Sequence, residues 1–365
     1  MSGALSEQIA TEPSTTSGPH TGHPPQEWYT SAELLERERR YVFDRSWALV
    51  GTDADLAEPG SYLTVTIGSS AIVVLRDKDG VLRAFHNVCR HRGLPLLEGS
   101  GTCAGHMTCP YHHWSYDQRG NLRRVPQLQS QFAGMDLNDW GLHPAAVDSW
   151  HGMIFVNPDP APSGLSQALA GLGERLDPFL DGPLSEVARV SYTANCNWKL
   201  LVENHIDVYH LWYLHSRSLR MYEHRSFEWE TTSGNWWSYE PLKDPADAPQ
   251  PAIGWLSQTA REGIGAHLLF PNLMLVTTGR YFATYDATPV APDKTMLTLR
   301  IRAEAGADAE ALVASVRSFM AEDVAVCELL QKGASSSRFS TGPLATCHEA
   351  PIRNFHRALA ALCDV

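Results

Sequence analysis

Cys89-Arg90-His91, seventeen further residues, and then Cys109-Pro110-Tyr111-His112 form the stretch on which the reading of this chain turns. Its two halves offer two thiolates and two imidazoles. That is the ligand set of a Rieske [2Fe–2S] cluster, in which one iron takes Cys89 and Cys109 and the other His91 and His112. Neutral imidazole donates less charge than thiolate, so such a cluster accepts an electron more readily than an all-cysteine one and suits electron delivery towards O2. A structural zinc site also uses two Cys and two His, but zinc fingers pair Cys with Cys and His with His. Here each half supplies one of each, which favours the cluster.

The surrounding sequence has the period of β-structure. Tyr62 to Ile67, Ala71 to Leu75 and Val81 to Phe85 read as strands, with Asp77-Lys-Asp-Gly80 as a hairpin turn. Trp114 to Tyr116, Asn121 to Val125, Ala145 to Ser149 and Met153 to Val156 continue the pattern. Asn157-Pro-Asp-Pro-Ala-Pro162 then stops regular structure. These features predict an all-β Rieske-type domain over 46–158, with both ligand pairs on loops. Residues 1–45 precede it: a polar arm, Ser14 to Pro25, too hydrophilic to pack, with His20 and His23 solvated, then a helix over 31–45 opened by a Thr30/Glu33 capping box.

The second domain, 163–365, reads as α+β. A helix is expected over Leu165 to Leu180, a strand over Glu186 to Asn195 and a helix from about Asn197. Antiparallel strands follow over Ser226 to Thr232, Asn235 to Tyr239, His267 to Thr277, Tyr281 to Thr288 and Thr295 to Ala303, then helices over Ala309 to Lys332 and Glu349 to Cys363. Asn197 to His215 carries the other candidate site. His210 and His215 are five residues apart, about 140° around a regular helix, so the helix must end or loosen near His210 for both rings to converge. Asp207, three residues before His210, is placed to hold the ring nitrogen left free of metal. Two imidazoles and one carboxylate make a facial triad that leaves positions open on Fe(II) for O2 and substrate. Asp323 is the preferred third ligand and Glu322 the alternative, although from spacing alone both acids read equally well as a solvated face. Asn204 lies beside the site without ligating; His205, His224, His267 and His348 read as ordinary polar or core histidines.

These residues together resemble the oxygenase (α) subunit of the Rieske non-heme iron ring-hydroxylating oxygenase family. The match rests on Cys-x-His-x17-Cys-x-x-His at 89–112, on Asn197-Trp-Lys, Glu203-Asn204 and Asp207-x-Tyr209-His210-x4-His215, and on Glu322-Asp323 with Gln331. The resemblance implies a helix-grip catalytic domain and a mononuclear Fe(II). It also implies NAD(P)H electrons from a reductase, with or without a ferredoxin, and a homotrimer in which electrons cross between subunits from His112 of one chain to His210 of the next, with Asp207 between them. His113 departs from the pattern, where the family usually has glycine.

The formal charge of −12 with 29 Lys and Arg argues against nucleic acid or an anionic membrane as partner. No apolar run approaches bilayer length and no signal-peptide pattern opens the chain, so a soluble cytoplasmic protein is expected. Of seven cysteines, those outside the cluster read as buried thiols. Function is therefore expected to be oxygenation: hydroxylation of an aromatic or related small molecule, or alternatively N- or O-demethylation of a quaternary ammonium or methoxy compound. Aromatic residues such as Trp236 and Tyr285 would serve either. A pure electron carrier needs only about a hundred residues, and a degenerate subunit would not keep both ligand sets.

Overall fold

The computed structural model describes residues 24–363 apart from 233, 249 and 341, so Ser14 to His23 of the expected arm lie outside the described residues. Helix Ala32–Tyr41 is capped by Ser31, whose side chain accepts from the Leu34 amide, and not by Thr30, whose hydroxyl donates to the Gln26 carbonyl inside the preceding turn.

The N-terminal half is built on an antiparallel sheet of seven strands. These are β1 (Ala48–Thr52), β2 (Ser61–Ile67), β3 (Ser70–Arg76), β4 (Leu82–His86), β5 (Ser100–Thr102), β9 (Pro144–Trp150) and β10 (Met153–Asn157), in the order β1-β10-β9-β4-β3-β2-β5. A smaller sheet, β6 (His106–Thr108), β7 (Ser115–Asp117) and β8 (Leu122–Arg124), stands beside it. The β3–β4 turn closes as expected: Asp77 Oδ1 accepts from the Asp79 and Val81 amides, and Gly80 takes φ +80°. Buried Val73, Phe85, Met107, Trp114 and Tyr116 form the floor beneath the cluster stretch.

The second half is one antiparallel sheet of β11 (Ser185–Ala194), β12 (Glu228–Thr232), β13 (Asn235–Pro241), β14 (Gly263–Leu269), β15 (Leu273–Thr278), β16 (Phe282–Ala291) and β17 (Lys294–Ala303), in the order β11-β17-β16-β15-β14-β13-β12. The stretch His267 to Thr277, expected as one strand, is the β14–β15 hairpin. Pro271 cannot donate to a ladder, and the chain turns at Phe270 to Asn272. Leu165 to Leu180 likewise splits into Leu165–Ala168 and Gly173–Leu180. These leucines cover one face of the sheet, packing with Trp237, Phe282 and the Rieske-side residues Trp47 and Phe155.

Helices Trp198–Ile206, Ala309–Ala334 and Ala350–Cys363 cover the other face, burying Trp198, Leu201, Val316 and Phe355 against Ala283, Tyr285 and Leu299. The long helix runs two residues past its expected end, through Gly333 to Ala334.

The helix Trp198–Ile206 is held by buried polar contacts at its cap and at Trp198, Lys199 and Glu203. Asn197 caps it by accepting from the Lys199 amide. Lys199 Nζ lies 2.5 Å from Glu38 Oε1 with both side chains almost fully buried, and Trp198 Nε1 donates to the other oxygen of Glu38. Tyr29 Oη donates to Glu203 at 2.9 Å, and His356 meets the same carboxylate. Removing one member of such a buried pair leaves a charge uncompensated and costs about 3–5 kcal/mol. The Asn197-Trp-Lys and Glu203 motif therefore anchors the helix whose end carries the second site.

Candidate metal centres and the cavity between them and the sheet

Cys89 follows β4 in a tight loop, its amide donating to the Leu94 carbonyl and its carbonyl accepting from Gly93, which takes φ +81°. Cys109 to Trp114 is the β6–β7 turn, closed by the Cys109 amide on the Trp114 carbonyl and the His113 amide on the Cys109 carbonyl. His113 sits at φ +59°, a left-handed conformation that glycine adopts without steric cost. The glycine that the resemblance implies at this position would take the same turn without that strain.

The two loops bring His91 Nδ1 and His112 Nδ1 to 3.1 Å. Two ring nitrogens facing each other at that separation suit two ligands of one metal. Cys89 and Cys109 are buried at 2 % exposure, whereas both imidazoles reach the surface. The His91 ring stacks on Trp114, with centroids 4.8 Å apart and planes at 10°. Burial, with the neighbouring His112 and Arg92, presses His91 below its ordinary range, towards the neutral form a metal requires. Tyr116 Oη accepts from the Arg90 amide and stands 3.5 Å from Cys89 Sγ. The donor set fits a Rieske cluster with its histidine edge outward.

His112→Cys, where the cluster assembles, is expected to lower the reduction potential by on the order of 100 mV or more, because an added thiolate stabilises the oxidised state. Spectroelectrochemical titration measures it, and an unchanged potential would count against His112 as a ligand.

At the second centre the helix ends at Ile206, and Asp207 is already extended at φ −84°, ψ 112°. A 3-10 turn, Tyr209–Trp212, then carries His210 and aims the following turn so that His215 swings in. The expected break falls where the 140° mismatch demanded it. His210, His215 and Asp323 offer ligand atoms all within 4.8 Å of one another. His215 Nε2 lies 2.9 Å, and His210 Nε2 3.5 Å, from Asp323 Oδ1.

Glu322 occupies a different role: its Oε2 faces His215 Nδ1 at 2.8 Å and accepts from Ser218 Oγ at 2.6 Å. Asp207 Oδ2 is 3.5 Å from His210 Nδ1, which is otherwise buried without a hydrogen-bond partner, while its Oδ1 accepts from the Tyr209 amide. Each imidazole thus turns Nε2 to Asp323 and Nδ1 to an orienting carboxylate, which fits a divalent iron held by two histidines and Asp323.

In the metal-free chain, burial disfavours protonation of His210 but Asp207 and Asp323 outweigh it and hold the imidazole up to about 9. Burial likewise raises Asp323, yet His210 and His215 hold it down to about 2. A histidine raised in the fold stabilises the metal-free protein fully below its unfolded value, near 6.5, and loses that contribution as pH rises through about 9. Metal must displace this proton. Anaerobic Fe(II) affinity is therefore expected to rise about tenfold per pH unit from pH 6.5 towards 9; binding isotherms that do not move with pH would contradict it.

Behind the triad lies a cavity of about 870 Å³, its open mouth included. Trp236, Ser238 and Glu240 alternate along β13 on the cavity face, while Trp237 and Tyr239 point into the opposite core. Ile264, Ala266, Met274 and Val276 from β14 and β15 continue the wall. Asn204 also lines it. His267 is buried and His205, half-buried, also lines the cavity; desolvation pushes them down to about 3 and about 4, so both rings are neutral, and each is tied to a neighbour by a hydrogen bond.

His224 is no ordinary core histidine. It pairs through Nδ1 with Glu240, both are buried, and both line the cavity. Nothing in the sequence linked the two, since they meet only where the loop after His215 bridges back through Tyr222 to Leu242 at the end of β13. Of the cysteines outside the cluster, Cys103, Cys196, Cys327 and Cys363 are buried as expected and Cys347 is exposed.

Two family models match the chain: "Rieske [2Fe-2S] domain" over residues 46–143 and "Ring hydroxylating alpha subunit (catalytic domain)" over 182–364. The carnitine monooxygenase oxygenase subunit of Escherichia coli (strain K12) is 30% identical over 361 residues, covering 92% of each chain. The protein of that name from Acinetobacter baumannii is 34% identical over 217 residues, an alignment that spans 58% of this chain and 57% of that one. Among solved structures, a quaternary ammonium Rieske monooxygenase superposes with TM-score 0.79 at 26% identity, covering 93% of this chain and 95% of that one. Naphthalene 1,2-dioxygenase, at 22% identity and TM-score 0.75 over 93% and 92%, shares the fold.

Proposed function

This chain belongs to the family of Rieske-type ring-hydroxylating oxygenase alpha subunits, and from that premise we propose that it is a monooxygenase acting on a small methylated ammonium compound. As a family member it is an oxidoreductase with a Rieske [2Fe–2S] cluster and a mononuclear iron. The observation that carries the substrate reading is the similarity to a carnitine monooxygenase oxygenase subunit across 92% of both chains. An aromatic cavity wall, with Trp236, Tyr222, Tyr285 and Phe319, is in keeping with it, since ring faces attract a quaternary ammonium. Of the two substrate classes the sequence left open, the methylated ammonium is thus preferred over the aromatic ring.

In this reading Cys89, His91, Cys109 and His112 hold the cluster, and His210, His215 and Asp323 hold the iron, which when bound supplies O2 activation. Glu322 and Asp207 fix the two imidazoles by their Nδ1 atoms. The apolar wall excludes water and positions the carbon to be oxidised. The overall change is R–H + O2 + 2 electrons + 2 H⁺ → R–OH + H2O; where that carbon bears the nitrogen, the product separates into an amine and a carbonyl compound. The electrons come from NAD(P)H through a reductase, with or without a ferredoxin, and the working unit is a homotrimer in the cytoplasm. No helix among the described residues is long and apolar enough to cross a membrane. The proline-rich linker after Asn157 divides the two domains at 158 and 163.

Substrate-dependent O2 consumption by the reductase-coupled protein tests the reading, with methylated ammonium compounds as one panel and aromatic acids and hydrocarbons as the other. Product formation confined to the aromatic panel would overturn it.

A further inference from the structure

We infer that Glu240, held by His224, is the group that seats the substrate's positive charge, and that the accepted compounds are methylated ammoniums without a carboxylate. This rests on the methylammonium reading above and narrows it. The buried pair is the first support: His224 is 6 % and Glu240 5 % exposed, and both face the cavity that the triad closes. His224 Nδ1 holds one oxygen of the Glu240 carboxylate and leaves the other to the cavity. Glu240 is buried, Ile264 lies directly across the ladder from it and Ala266 is the next cavity-facing residue on that strand, so little solvent screens the carboxylate. A cation entering here meets a carboxylate whose second oxygen accepts from no hydrogen-bond donor among the described residues.

The second support is the rest of the lining. Among the described residues no lysine or arginine lines the cavity, while Asp207, Glu240 and Asp323 do. A zwitterionic substrate would bring its own carboxylate into a space with no protein cation to receive it. The uncommitted donors are neutral: Trp236 Nε1 and Tyr285 Oη are buried without a hydrogen-bond partner, at 3 % exposure each, and both residues line the cavity. Two neutral hydrogen bonds return less than the desolvation of a carboxylate takes. They suit a hydroxyl or carbonyl oxygen instead, which makes an ammonium alcohol the matching class. Tyr222, which lies beside Glu240, adds an aromatic ring to the seat of the cation, and Trp236 lines the cavity further along β13.

The test uses the holoenzyme with its electron donors and three probes: choline, its uncharged isostere 3,3-dimethylbutan-1-ol, and the longer γ-butyrobetaine, which carries a carboxylate. Choline is expected to exceed both others in kcat/KM by at least ~30-fold, the loss that accompanies an unpaired buried charge. Glu240→Gln should lower the choline value by a similar factor and the isostere's by less than ~3-fold, so that charge discrimination collapses. Tetramethylammonium binding, followed by calorimetry on the same proteins, should weaken in parallel.

Glu240→Gln that binds tetramethylammonium as tightly as wild type would overturn the cation seat, and γ-butyrobetaine turned over as well as choline would overturn the exclusion of carboxylates. If the variant does not fold, the wild-type comparison of choline with its isostere decides alone, and equal values sink the inference. Turnover of aromatic compounds with none of any ammonium would bring down the functional reading itself, whereas ammonium turnover without charge discrimination brings down only this inference.

Discussion

Asp323→Ala is expected to yield a protein with an unaltered Rieske spectrum, about two irons per chain in place of about three, and product formation reduced by at least ~10³-fold. Asp323 Oδ1 is the one atom that both imidazoles face through Nε2, at 2.9 Å and 3.5 Å, so its removal leaves two nitrogens with no third donor on their side. Glu322→Gln separates the neighbours. Glu322 touches His215 only at Nδ1 and shares that contact with Ser218 Oγ, so its loss should loosen the ring and lower iron affinity by ~10–100-fold without abolishing binding. Metal analysis after gel filtration, alongside the visible spectrum and turnover, measures both. If Asp323→Ala retained iron and activity while Glu322→Gln lost them, the two assignments would have to be exchanged. Loss of the Rieske spectrum in either variant would instead indicate that the second centre supports the folding of the first.

What could be read in advance, and what could not, follows from how far apart in sequence the partners lie. Cys89 and His91 sit on the loop that leaves β4, Cys109 and His112 on the β6–β7 turn, and the chemistry that needs them is written in local spacing. His210 and His215 were legible because five residues conflict with a regular helix, and the fold resolves the conflict at Asp207 as geometry requires. Asp323 could be preferred to Glu322 but not separated from it by spacing, because the two differ in which nitrogen of His215 they reach and in whether they reach His210, and that depends on how the long helix packs against the turn. Glu240 was invisible for a similar reason. Trp236-x-Ser238-x-Glu240 has the period of a strand, but period alone does not say which face meets the helices and which meets Trp47 and Phe155. The β14–β15 hairpin was missed where Pro271 and Asn272 carried the turn signal inside an apolar run.

Asp207→Asn is expected to keep both metal centres and near-normal size, yet lose steady-state turnover by ~10²-fold or more. The carboxylate accepts from the Tyr209 amide through Oδ1 and turns Oδ2 towards His210 Nδ1, at a place where Tyr209 and Tyr213 are 47 % and 73 % exposed, so it lies at the molecular surface. The cluster's histidines are also at a surface, and with their Nδ1 atoms facing each other their Nε2 edges turn away from the cluster. A carboxylate accepts a hydrogen bond from each of two imidazoles, so Asp207 can join His210 of one chain to His112 of a neighbour if the chain works as the proposed trimer. An amide keeps the shape but offers one acceptor oxygen, and its NH2 group would meet an N–H it cannot accept. Orientation of His210 alone predicts a milder outcome, in which iron affinity falls and the reaction of the reduced cluster keeps its rate at saturating iron. Stopped-flow reoxidation of the prereduced cluster by O2, with substrate bound and iron at one equivalent per site, distinguishes the two: slow reoxidation supports the bridge, and wild-type kinetics sink it. A wild-type protein that is monomeric and fully active would remove the route between subunits altogether, leaving Asp207 as the group that turns His210 towards its metal.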